Sequence, residues 1–407
     1  MPTTKNILVV RLGGIGDVTI ITPALKALKE LYPQSRISLM TNRNSAEVVS
    51  GAPPLSTEAG APSPQQMVRG APYVDDIIAF TGLFSTQSVF DFLKPAVLYQ
   101  LLRLVILMLK QDFDIFISLH NMVSWPAVVK PWILAILSQA PVRAGFNTCN
   151  RGFFLNVRTP DDSNKHLMLR CLDVIKQLAS HSKINYTLQQ PTPEVWLNDK
   201  DLKYADDFIA SNNIKPTDFL VGIHPGGNPR TYKTQCWPAE RFAQVANAVA
   251  DKYGAPRPVP CGEGALAPVD KGGARILLTG GKSDRHIIDK IIPMLKCPPV
   301  LLPENISVKQ LSAIIGRCKL FISNDTGPMH LAVAMKVPTI GIFGGGDFGI
   351  YGNYPSETGF IAVRKNLPCS PCYHKIKCPT PECLDKITVE EVLQAVDKQL
   401  RIINKNG

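Results

Sequence analysis

Short, unbroken apolar runs, each closed by a glycine-rich or polar turn and followed by helical periodicity, constrain this chain more than any other feature. Residues 6–11 (NILVVR) form such a run, typical of a parallel strand buried on both faces. GGIGD at 13–17 follows, residues 18–31 repeat their apolar positions at helical spacing, and 36–40 (RISLM) supply the next strand. That is a βαβ unit, and strands alternating with helices call for a parallel, doubly wound sheet. Further strands are expected at 75–80 and 114–119, with helices over 96–109 and 125–137. Residues 51–72, rich in Pro, Ala, Gly and Ser, break the rhythm and read as an inserted, mobile surface loop.

At QQPTP (189–193) the pattern resets, which divides the chain into a domain of residues 1–192 and a second of 193–387. At 407 residues the chain is long for a single core, so two domains are the default. The second domain repeats the alternation: helix 200–211, strand 219–223, helix 239–252, strand 274–279, helix 285–295, strand 300–302 and helix 307–317. A second insertion occupies 255–273, a cysteine-rich loop spans 369–383, and a helix within 388–407 closes the chain. The densest stretch is LFISNDTGPMHLAVAMKVPTIGIF: strand 320–323, a polar turn, helix 328–335 and strand 339–343. Pro328 suits a first helical turn, Asp325 and Thr326 suit a cap, and Gly327 lets backbone approach a ligand. Amides at such a helix start form a phosphate site, or merely an ordinary capped turn.

In open α/β sheets ligands sit beyond the carboxyl ends of the strands. Five turns occupy such ends here, GGIGD, HPGG, TGG, SNDTGP and FGGGD, which points to a ligand cleft between two domains. GGIGD carries Gly14 and Gly16 of a dinucleotide fingerprint but lacks its third glycine and the acidic residue about 20 positions on, which argues against NAD-type chemistry. Asp17, at a strand end, is suited to a general base, or to stabilising a helix start. His224 is placed to contact phosphate or to serve as a structural histidine. Arg230 and Lys233 are either diphosphate partners or solvated loop charges. Asp112-Phe113-Asp114 spells a DxD but precedes a strand, so it reads as structural. Cys369, Cys372, Cys378 and Cys383, with His374 among them, offer a tetrahedral structural zinc site or simply packed thiols.

The net charge of +11 favours an acidic partner. Without a basic block and with 7% aromatic residues, nucleic acid is an unsuitable one. The amino terminus runs straight into a strand with no signal-peptide pattern, so a cytoplasmic location with reduced cysteines is expected. The apolar run at 96–109 is too short to span a bilayer and reads as a core helix or, alternatively, one lying on a membrane surface.

RLGGIGDVTIITPALKALKELYP, HPGG, WPAERF, LTGG and above all SNDTGPMHLAVAMKVPTIGIFG resemble the bacterial ADP-heptose:lipopolysaccharide heptosyltransferases, glycosyltransferase family 9, over nearly the whole chain outside the insertions. The resemblance implies the GT-B architecture, two Rossmann-like domains facing a cleft, acceptor on the first and nucleotide-sugar on the second. It also implies an inverting transfer that needs no metal or other cofactor. Asp17 matches the family's proposed base, and Asp325, Thr326, Gly327 and His330 match its donor-contacting motif. Gly14, Gly16, His224, Gly226, Gly227, Gly281 and Lys233 fall in the same donor-binding set, and Asp284 matches a ribose contact. Family members often carry Lys or Arg just before the Trp-Pro pair; Gln235 and Cys236 stand there, with Lys233 and Arg230 upstream. The implied partners are a nucleotide-sugar, most simply ADP-heptose, and an acidic glycolipid or oligosaccharide acceptor, met by a monomer at the inner face of the cytoplasmic membrane. A transferase of other donor specificity, a sugar-nucleotide epimerase and an inactive binding scaffold are the competing readings.

Overall fold

A computed structural model of the protein describes residues 4–51, 67–69, 72–80, 95–187, 191–227, 235–254, 272–372, 378 and 381–406. The chain forms two compact units, Met1–Trp196 and Leu197–Gly407.

The first unit holds a seven-stranded sheet in the order β3-β4-β2-β1-β5-β6-β7. Its strands are β1 Asn6–Val10, β2 Arg36–Asn42, β3 Met67–Arg69, β4 Asp76–Phe80, β5 Ile115–Ser118, β6 Val142–Phe146 and β7 Val157–Thr159. All pair in parallel except β3, which runs antiparallel to β4 at the edge. β3 is a correction to the expected 51–72 loop: part of that insertion extends the sheet. β1 and β5 are almost wholly buried apolar runs because helices cover both faces. On one side α1 (Ile15–Leu31) packs against α5 (Leu167–His181). On the other, α3 (Pro95–Lys110) and α4 (Trp125–Leu137) close a core around Leu8, Val10, Met40 and Phe116. A one-turn helix, α2 (Arg43–Ala46), follows β2. Pro23 inside α1 cannot donate to the Thr19 carbonyl; the Thr22 hydroxyl does so instead at 2.8 Å, and the helix continues.

The second unit holds six parallel strands in the order β10-β9-β8-β11-β12-β13. They are β8 Phe219–His224, β9 Ala274–Leu278, β10 Val300–Leu301, β11 Leu320–Asn324, β12 Thr339–Phe343 and β13 Phe360–Arg364. Helices Asp199–Ser211, Ala239–Tyr253, Arg285–Ile291, Val308–Ile315, Gly327–Ala334 and Val389–Asn406 connect and flank them. Trp237, Phe242 and the inward residues of β8, β9, β11 and β12 form one core with the last helix.

Each sheet grows one way from its first strand and then restarts on that strand's other side. The reversals fall between β1 and β5 in the first unit and between β8 and β11 in the second. Such switch points leave a crevice at the carboxyl ends of the two diverging strands. GGIGD, HPGG and SNDTGP stand there, and TGG and FGGGD close the neighbouring strands β9 and β12.

Candidate active site

In the first unit the turn after β1 is held from both sides. Asn42 Nδ2 and Ser45 Oγ donate to the Gly13 carbonyl at 2.8 and 2.9 Å, from the end of β2 and from α2. From the β5 side, His120 Nε2 accepts the Leu12 amide at 3.0 Å. Arg11, buried at the end of β1, spans the switch point: one Nη donates to the Leu119 carbonyl and the other to Asp17 Oδ1. Asp17 Oδ2 accepts the Gly14 amide at 2.7 Å, closing the first turn of α1. Both carboxylate oxygens are therefore oriented, while the side chain stays 22% exposed against 6% for Arg11. The acid at the helix start and the acid at the strand end are one residue, placed where a substrate hydroxyl can reach it. Gly14 caps α1 and Gly16 lies buried in its first turn. His120 is neutral: burial, then the neighbouring Arg11 charge, lower its pKa to about 4, and Nε2 serves as an acceptor.

In the second unit β8 ends in His224, whose Nδ1 lies 3.1 Å from both the carbonyl and the hydroxyl of Thr279. Burial lowers the His224 pKa, with Asp284 acting in the opposite direction. Asp284, buried, accepts the Gly227 amide at 3.3 Å and the Gly281 amide at 2.9 Å, tying two glycine turns together. A side chain at Gly226 would place its Cβ 2.5 Å from that carboxylate, so only glycine fits the approach. Asn324, at the end of β11, bridges the switch point. Its Nδ2 donates to the Pro225 and Gly226 carbonyls at 2.8 and 3.1 Å, and its Oδ1 accepts the Trp237 amide at 3.0 Å.

Beyond Asn324 the chain turns through Asp325 and Thr326 into helix Gly327–Ala334. Gln235 Nε2 donates to the Asp325 carbonyl at 2.6 Å. The Thr326 hydroxyl, 3.3 Å from both the Asn324 carbonyl and Ser323 Oγ, stiffens the turn instead of capping its helix. His330, one turn into the helix, places Nε2 4.0 Å from Asp325 Oδ1 and Nδ1 2.8 Å from the Tyr354 hydroxyl. Burial, and then the Asp325 charge, hold the Tyr354 phenol protonated, its pKa raised well above the usual value. An acid, an imidazole and the positive end of a helix thus share one turn, a combination able to hold hydroxyl and phosphate groups together.

The expected residues thus gather into two sets, Gly14, Gly16 and Asp17 in the first unit and the rest in the second. Lys233, Arg230 and His374 lie outside the described residues. Asp114 accepts the Asn6 amide at 2.7 Å at the amino end of the sheet, remote from the glycine turn, which fits the structural reading of the DxD. The four clustered cysteines are free thiols, Cys369 exposed and Cys383 buried. Among the described residues no group of three or more His, Cys, Asp or Glu is arranged to hold a metal ion. Sequence reasoning gave no role to Arg11, His120, Asn324 and Tyr354, and read Gln235 only as standing where a cation is usual. For Arg11 and Asn324 a signal was available: a polar residue ending an otherwise apolar buried run directly before a turn.

The model of glycosyltransferase family 9 (heptosyltransferase) matches residues 102–254 and 266–382. A lipooligosaccharide heptosyltransferase 2 of Campylobacter jejuni is 27% identical over 203 residues, 48% of this chain and 55% of that protein. The chain thus spans about half the length of that relative. Lipopolysaccharide heptosyltransferase 3 of Escherichia coli is 22% identical over 395 residues, covering 95% of both chains. Among solved structures, an E. coli ADP-heptose lps heptosyltransferase II superposes with a TM-score of 0.66 at 16% identity, over 99% of this chain and 100% of that one. The fold is therefore that of GT-B heptosyltransferases, as the alternation of strands and helices and the resemblance imply.

Proposed function

The chain belongs to glycosyltransferase family 9, and we propose that it moves a heptose from ADP-heptose to a hydroxyl of a lipopolysaccharide-type saccharide with inversion at the anomeric carbon. The observation that carries the reading is Asp17: a partly exposed carboxylate at a switch point, both oxygens oriented by Arg11 and the Gly14 amide. In this reading Asp17 takes the proton of the acceptor hydroxyl as that oxygen attacks the anomeric carbon from the face opposite the diphosphate. The ADP named for the E. coli relative supports the choice of donor.

The second unit carries the donor. The Gly327 amide and the positive end of helix Gly327–Ala334 meet the diphosphate, since Pro328 has no N–H and the Met329 amide is bonded to the Thr326 carbonyl, and the helix dipole favours negative charge as the leaving group departs. Asp325 and His330 take the sugar hydroxyls, since a carboxylate accepts from hydroxyls and repels phosphate. Gly226, Gly227 and Gly281 let the nucleotide approach the backbone. His224 and Asp284 act one step back, as struts beneath the turns, since His224 Nδ1 and both carboxylate oxygens of Asp284 are engaged there. Lys233 is assigned to the phosphate charge on sequence grounds. The transfer runs without a divalent cation in this reading, with charge at the leaving group met by the helix start and by side chains.

Asp17→Asn tests the reading. The expected result is a loss of roughly 10²–10⁴ in kcat, the usual contribution of a positioned base, with ADP affinity by titration calorimetry unchanged. Turnover near that of the wild type would remove Asp17 from the chemistry.

A further inference from the structure

The first unit leaves an extended apolar face uncovered. Of fourteen exposed large apolar residues among those described, ten lie on α3 and α4, and Val123 and Phe153 adjoin them. On α3 the exposed positions include Leu98, Leu102, Ile106 and Leu109, spacing that aligns them along one face. On α4 they include Trp125, Trp132, Ile133 and Ile136, aligned in the same way. The opposite faces are spent on the core: Leu104 and Met108 of α3, and Val128, Leu134 and Ala135 of α4, pack into one cluster. Because the two helices touch and cover the same side of the sheet, their outward stripes form one surface. Phe153 extends it through an edge contact with Trp132, the ring centroids 5.7 Å apart. A solvent-facing side this rich in Leu, Ile and Trp, with Leu102 57% and Trp125 63% exposed, marks a binding surface.

Charge selects the occupant. Neither helix contains an acidic residue, while α3 carries Arg103 and Lys110 and α4 carries Lys130. Arg103 lies over the Tyr99 ring at 5.1 Å, and Arg151 over the Trp125 ring at 5.7 Å, so cations border the aromatic groups. Tryptophan and tyrosine beside Lys and Arg, around a stripe of aliphatic side chains, fit the layered chemistry of a bilayer surface: acyl chains below, glycerol and carbonyl groups between, anionic headgroups above. A second copy of this chain would instead set cation against cation. No described helix is long and apolar enough to cross a membrane, so contact would be by a face and not by a span.

We propose that the outward face of α3 and α4, extended by Phe153, docks on an anionic phospholipid bilayer. The inference deepens the transfer reading by putting the acceptor on a lipid surface, but its test needs no turnover.

The test is flotation of the full chain with vesicles of phosphatidylcholine alone, or with roughly a third phosphatidylglycerol, at low and at physiological salt. The wild type is expected to float with the anionic vesicles and far less with the neutral ones. The double variant Leu102→Glu/Trp132→Glu, changed only at outward positions, should bind them roughly tenfold more weakly or worse while keeping the wild-type melting midpoint and ADP affinity. Brominated lipid should quench the wild-type tryptophan fluorescence, a readout that needs no variant. Absence of wild-type binding, or equal binding by both proteins, overturns the proposal. So does a wild-type dimer in lipid-free sedimentation that the double variant dissociates, which would give the face to a second copy. Loss of transfer in Asp17→Asn with vesicle binding intact would leave each conclusion standing on its own measurement.

Discussion

The two switch points share a backbone plan and differ in where the acid goes. In each, one buried polar side chain at the end of a strand reaches across to the neighbouring segment: Arg11 to the Leu119 carbonyl, Asn324 to the Pro225 and Gly226 carbonyls. In each, a neutral histidine braces the turn, half-buried His120 in the first unit and buried His224 in the second. In the first unit the bridge is a cation, and the nearby acid is held by it in a partly exposed position. In the second the bridge is a neutral amide, and Asp284 is buried, its charge taken up by two glycine amides. One crevice therefore presents a carboxylate tied to a cation, the other a helix start with Asp325 and His330 beside it. Topology supplies the crevice; in the proposed reaction the partly exposed acid of the first unit takes the proton and the helix start of the second meets the anion.

That contrast predicts opposite kinetic signatures, and the largest effect tests it. Asp17→Asn is expected to depress kcat by roughly 10²–10⁴ with little change in donor affinity. Asp325→Asn is expected to act on donor affinity instead, raising the KM for ADP-heptose by about 10-fold to 100-fold through lost hydroxyl contacts, with plain ADP bound as tightly or more so. Steady-state kinetics beside calorimetry with ADP reads both. Two variants that lowered kcat alike and left KM alone would erase the distinction between the crevices.

A smaller effect separates the two bridges. Asn324→Ala leaves two buried carbonyls and the Trp237 amide short of partners, at an expected cost of roughly 2–4 kcal/mol, or a melting point lower by about 5–10 °C. Trp237 should then loosen, because its amide is held by that side chain. Nucleotide binding should weaken in parallel, as the HPGG turn loses its tie to β11. An Asn324→Ala protein with the wild-type melting point would show that the bridge is dispensable. Asn324→Asp keeps the Trp237 acceptor but removes the donor, so its cost apportions the two halves of the bridge.

The sequence was most legible where local chemistry and tertiary role coincide. The strand at 339–343 has the limits its apolar pattern indicates, since burial begins and ends with the pattern, and the helix at 125–137 spans its apolar run although only one face of it is buried. β2 runs on to Asn42 because its polar end pairs with β4, which no local pattern reveals. β6 and β7 escape notice for another reason. VRAGF is broken by Arg143 and Gly145, VRT has three residues, and both exist through pairing with β5 and with one another. β3 is similar, a short edge strand inside a stretch of insertion composition. In the site, Asp17 and Asp325 stand out because acid, glycine and helix start are adjacent in sequence. His120 does not, because its partner lies 108 residues away, and the reach of Arg11 across to the Leu119 carbonyl is hidden in the same way. A strut is defined by what it reaches.

The smallest expected effect concerns the histidines that both crevices share. His120 has a folded-state pKa of about 4, against roughly 6.5 in an unfolded chain. Above about pH 6.5 it is neutral in both states and contributes no pH dependence. As the pH falls below that value the unfolded chain takes up a proton that the folded protein refuses, so stability drops until about pH 4 and then levels. The loss is on the order of 3 kcal/mol. His224, its pKa also lowered by burial, acts in the same direction, so the wild-type slope has a source in each unit. His120→Asn retains an acceptor for the Leu12 amide and removes one source. Urea midpoints at pH 7 and pH 4.5 should therefore converge in the variant by part of the wild-type difference. His224→Asn should remove a further part, since each histidine braces its own turn. A wild-type slope left intact by His120→Asn would mean that the imidazole beside Arg11 titrates normally, and that the two crevices are braced by different physics.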